Sequence, residues 1–162
     1  MRLTTLIAIT FALTACASSS GPAVPRYTGT DQINDVSADA FIGEWDLTIL
    51  NPRDGQETNP TTVTYSADGA FTGTIFPTGQ SASVLGDDSL NMTGTWSTTN
   101  GLLRHENVEM SSSGDNELAS FMASMMNGLS RDVGGTANIY ELSANYMVLV
   151  GEDGVATRYD RR

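Results

Sequence analysis

The chain has no lysine, one cysteine and one histidine, and each scarcity removes a class of function. Its eight basic residues are scattered arginines set against nineteen acidic residues, for a formal net charge of -11. Nucleic-acid binding needs clustered positive charge that displaces counterions from phosphate, so no nucleic-acid partner is expected. A lone histidine, His105, with no Gly-x-Ser-x-Gly elbow leaves no hydrolytic triad. His105 itself reads as a strand residue facing solvent or a polar part of an interior. For metals, one histidine and one cysteine leave mainly carboxylates. Neither Asp87-Asp88 nor Glu152-Asp153 has the oxygen spacing of a calcium loop. The carboxylates are numerous enough for a glycosidase-type pair, a chemistry that geometry decides and sequence spacing does not. The expectation is no enzyme activity, no cofactor and no metal, with the acidity serving solubility.

Long apolar runs are also scarce. Spanning a bilayer takes about 20 apolar residues, and no segment reaches that length. The longest run, Leu6 to Leu13, follows Met1-Arg2-Leu3 and leads into the small residues Thr14 and Ala15. That order predicts a signal peptide over residues 1–15. Leu13-Thr14-Ala15-Cys16 resembles the lipobox of bacterial lipoproteins at all four positions. The resemblance implies cleavage before Cys16, acylation of Cys16 and attachment to a membrane through it. Ala17, where an Asp would imply retention at the inner membrane, implies the periplasmic face of the outer membrane. The alternative is an ordinary secretory signal with a cysteine nearby. An exported chain with a single cysteine would then carry a free thiol in an oxidising space, which acylation avoids. Residues 16–36, with Ser18-Ser19-Ser20-Gly21-Pro22 and Pro25, read as a tether with a root-mean-square reach of roughly 25 Å.

Residues 37–162 read as one mainly β domain. Trp45, Leu47 and Ile49 alternate with Asp46 and Thr48, as a half-buried strand does. Val63 and Tyr65 should pair with Phe71, Gly73 and Ile75 across a turn at Ala67-Asp68-Gly69. Met92, Gly94 and Trp96 should share a face, with a hairpin at Asn100-Gly101 returning through Leu102 to Val108. Further strands are expected near 138–142, 146–150 and 155–159. Between the middle and final hairpins, Leu118, Phe121, Met122, Met125, Met126 and Leu129 recur at helical spacing. They predict an amphipathic helix over 115–127, capped by Asp115 and ended by Gly128. The expected fold is an antiparallel up-and-down barrel of about eight or nine strands, with one helix inserted before the last three. A two-sheet sandwich is the alternative.

Phe41-Ile42-Gly43-Glu44-Trp45 resembles the first strand of lipocalin-like and fatty-acid-binding-like proteins, the calycin group, which opens with Gly-x-Trp. The resemblance implies that Gly43 and Trp45 mark the closed end of a barrel and that Ser37-Ala38-Asp39-Ala40 is a short helical turn over it. It also implies that a late arginine, matched here by Arg158 in Thr157-Arg158-Tyr159, lies against the Trp. The helix departs from the lipocalin pattern, where it follows the eighth strand. The implied role is binding of a small apolar ligand, with Phe71, Trp96, Tyr140 and Met147 as candidate lining and Met122 and Met125 as a candidate lid. The competing reading makes the same four residues barrel filling and packs the helix stripe as core, or turns it toward a partner. The chain would then be an envelope protein-interaction module, an assembly factor or a small-barrel protease inhibitor.

Overall fold

The computed structural model describes residues 26–52, 54–55, 58–130 and 135–162, without the side chains at 84, 122, 125, 126 and 128–130. Cys16, the signal segment, the start of the tether and the side chains of Met122 and Met125 lie outside the described residues.

Eight antiparallel strands form a closed barrel in sequence order. They are β1 (Gly43–Ile49), β2 (Thr61–Tyr65), β3 (Ala70–Ile75), β4 (Leu90–Thr99), β5 (Leu102–Ser112), β6 (Thr136–Leu142), β7 (Tyr146–Gly151) and β8 (Ala156–Arg161). Closure is direct, with Trp45 opposite Arg161, Leu47 opposite Tyr159 and Ile49 opposite Thr157. The sandwich alternative is thereby removed, and the expected meander holds with eight strands. Its hairpins form where the backbone must enter the left-handed region. Asn100 and Gly101 have φ of 52° and 74°, and Gly69 has φ of 84° with Asp68 Oδ1 accepting from the Ala70 N–H at 3.0 Å.

Among the described residues two α-helices accompany the barrel, α1 (Gly79–Leu85) and α2 (Glu117–Ser130). The first was not expected, because Gln80-Ser81-Ala82-Ser83 carries no apolar stripe. The second falls where expected but is shifted. Its cap is Asn116, not Asp115, and it runs past Gly128 to Ser130. An amide suits this place because it both accepts and donates. Asn116 Oδ1 accepts from the N–H groups of Leu118 and Ala119, and Nδ2 donates to the Leu85 carbonyl at the end of α1. A carboxylate has no proton for the second bond.

The wall is uneven between β5 and β6. Nearly all of β5 pairs with β4, but only Leu102, Leu103 and Arg104 pair with β6. Beyond them α2 packs against β5, burying Ala119 and Ala123 among Leu85, Leu90 and Met110. Asn127 completes the ladder from the helix: Met110 N–H donates to Asn127 Oδ1 at 2.6 Å, and Asn127 Nδ2 donates to the Met110 carbonyl at 2.7 Å. A side-chain amide here replaces the strand peptide that would satisfy the edge.

Candidate functional site

Trp45, Val63, Tyr65, Phe71, Trp96, Leu103, Ile139, Met147, Leu149 and Tyr159 are buried and form one contiguous cluster with Phe41. Their rings interlock, with Trp96 centroids 5.3 Å from Tyr65 and 5.9 Å from Phe41. Even the glycines of these strands are fitted to their neighbours. A Cβ at Gly73 would stand 2.7 Å from Met92 Cε, and one at Gly94 would stand 2.6 Å from Phe71 Cε1. Phe71, Trp96 and Met147 therefore sit together in this buried cluster. Tyr140 does not join them. A bulge between Ile139 and Glu141 breaks the alternation, so Ile139 takes the interior position. Tyr140 is left half-buried on the outer side, its ring edge-on to Tyr27 at 5.4 Å.

One end of the barrel is shut by a cation on an indole. The arginine over Trp45 is Arg161, 4.0 Å from the ring centroid, and not Arg158. Strand parity explains the correction. Tyr159 points inward, so Arg161 shares its side, while Arg158 points outward onto Tyr146 at 4.3 Å and pairs with Asp160 at 2.8 Å. Arg161 also donates to the carbonyls of Ile42, Ala40 and Ala144 at 2.7 to 2.8 Å. Gly43 stands under this guanidinium with φ of 133°, and a Cβ there would meet Nη1 at 2.5 Å. Trp45 Nε1 donates to the Phe41 carbonyl at 2.7 Å. The helical turn Ala38–Ala40, capped by Ser37, leads into this end.

One polar cluster interrupts the apolar interior. The Tyr65 hydroxyl lies 2.7 Å from His105 Nε2, with the proton's side set by the tautomer. Burial lowers the His105 pKa to about 4, keeping the ring neutral, and raises that of Tyr159 to about 12. Burial, reinforced by Tyr159, also raises that of Tyr65. The neutral His105 ring stacks on Tyr65 at 5.6 Å and meets Phe71 edge-on at 4.9 Å.

Recesses of about 340, 710 and 430 Å³ lie beside Asp46 and Phe76, beside Tyr27 and Tyr140, and beside Asn100 and Arg104. None of the three is lined by Phe71, Trp96 or Met147. Along α2 the expectation that the large apolar residues pack as core is overturned at two positions, since Leu118 and Phe121 are exposed while the alanines face inward. Alanine allows the close approach to β5 that the Asn127 bonds require.

No family model and no curated protein matches the chain. Seven chains of solved structures do, among them the NMR structure of a protein from Burkholderia xenovorans. That likeness has 13% identity and a TM-score of 0.41 over 86% of this chain and 99% of the other, and it carries no functional weight.

Proposed function

We propose that the protein is a lipid-anchored, non-enzymatic module of the bacterial cell envelope that works through its outer surface, meeting another protein while the barrel serves as a solid core. The supporting observation is the filled interior. A ligand-carrying barrel needs on the order of 300 Å³ or more of enclosed space. Here the indoles, four further aromatic rings and Met147 occupy one contiguous buried cluster. The small-ligand reading therefore has less support than the protein-interaction reading. The anchor rests on the lipobox-like Leu13-Thr14-Ala15-Cys16, and the outer-membrane, periplasmic location rests on Ala17. A calycin-type affiliation is supported by Gly43 and Trp45 with an arginine over the indole, though that arginine is Arg161.

The test is cross-linking of the full chain in intact cells, together with mass analysis of its mature N-terminus. A stoichiometric protein partner and a diacylated or triacylated Cys16 are expected. A protein that crosslinks to nothing and co-purifies with an apolar small molecule would overturn the interaction role. An unmodified Cys16 would overturn the anchor.

A further inference from the structure

Helix α2 holds two large apolar side chains away from the barrel. Leu118 and Phe121 are 47% and 63% exposed, while Ala119 and Ala123 are buried. Residues three apart on a helix are neighbours, so the Leu and the Phe form one patch. The helix is tied at both ends, by Asn116 to the Leu85 carbonyl and by Asn127 to both backbone groups of Met110. The patch is thus presented on a fixed support.

Among the described residues from His105 to Ser130 the chain has four acidic side chains and no arginine or lysine. Glu106 is paired with Arg104. Glu117 lies one turn from Phe121 on the same face, and Glu109 lies on β5, the strand that α2 covers. Both are exposed, and neither makes an ion pair or a side-chain hydrogen bond among the described residues. Asp88 joins them at the helix start, accepting from the Asn116 N–H at 3.1 Å.

We infer that the Leu118 and Phe121 face of α2 is the docking surface for a basic, amphipathic segment of a protein partner. The inference rests on the outer-surface role proposed above and names the place and the partner's chemistry. Charge selects the occupant. An anionic lipid surface would be repelled by the same carboxylates, and a second copy would bring another acidic rim against the first. An apolar helix or groove rimmed by arginine and lysine satisfies both the patch and its border, and the rim charges speed the encounter.

The test uses the full acylated chain in phosphatidylcholine nanodiscs, with empty nanodiscs as the blank. It is titrated with a fluorescent amphipathic peptide of leucine and lysine, and with a counterpart carrying glutamate for lysine. Saturable binding of the lysine peptide alone is expected, about tenfold weaker in Phe121→Ser and in Glu117→Lys, and unchanged in the exposed control Leu50→Ser. Circular dichroism and the unfolding midpoint establish that the variants fold. Equal affinity in Phe121→Ser would overturn the inference. So would dimerisation of the chain, or binding to phosphatidylglycerol vesicles, that Phe121→Ser abolishes. In-cell crosslinks to a partner that survive Phe121→Ser would remove this surface and leave the outer-surface role standing. A ligand inside the barrel with no protein crosslink would remove both.

Discussion

Asn127 hydrogen-bonds both the N–H and the carbonyl of Met110, so that a helix side chain closes the ladder where β5 has no strand beside it. Replacing Asn127 with Leu would keep the side-chain volume and leave both backbone groups without that partner. The expected loss is about 2 to 4 kcal/mol of unfolding free energy. Amide exchange should quicken first at Met110. An unchanged midpoint with protected exchange at Met110 would contradict the clamp.

The two late arginines should separate cleanly. Arg161→Ala removes a ring contact worth about 0.5 to 2 kcal/mol and leaves three carbonyls without their charged donor. Arg158→Ala removes an ion pair with Asp160 and a contact on the Tyr146 ring that are both open to solvent. Urea unfolding should therefore rank Arg161→Ala as the far more damaging change. A reversed order would return Arg158 to the closed end.

Gly94→Ala should cost about 1 to 3 kcal/mol, because the added methyl meets Phe71 Cε1 and the Glu106 carbonyl, which lies 2.8 Å away on the backbone. Thermal unfolding measures this. A neutral or stabilising substitution would mean that the interior has room to spare.

Acid should weaken the fold through His105. Its folded pKa of about 4 lies below the unfolded value near 6.5, so between those limits the unfolded chain binds the extra proton. Stability is full above about pH 6.5 and falls by about 2 to 3 kcal/mol as pH drops toward 4. Chemical denaturation at a series of pH values reads the slope, which His105→Gln should flatten. At the alkaline end the sign reverses, because the Tyr159 pKa is raised to about 12. Stability should fall as pH rises from about 10 toward 12.

What the sequence revealed of this fold was local. Asp68-Gly69 and Asn100-Gly101 announce their turns because few residues accept positive φ, and the Trp45, Leu47, Ile49 alternation marks a half-buried strand without help from its neighbours. What it concealed depends on partners distant in sequence. The bulge beside Tyr140 exists only in the pairing of β6 with β7, and it turns out a residue that simple alternation would place with Leu142 inside. Arg158 and Arg161 are equally basic, and only the register of β8 against β1 decides which one reaches the indole. On α2 the large residues suggest a buried stripe, yet the short distance to β5 admits alanine and sends Leu118 and Phe121 outward. A helical amide completing a strand ladder has no sequence signature of its own.

The most direct measurement is native mass spectrometry of the delipidated mature protein, combined with displacement of a fluorescent fatty acid and the emission of its buried tryptophans. A barrel filled by Trp45, Tyr65, Phe71, Trp96 and Met147 predicts the mass of the polypeptide alone, no saturable probe binding and unchanged tryptophan emission. One displaceable apolar molecule per chain that shifts the tryptophan emission would contradict it.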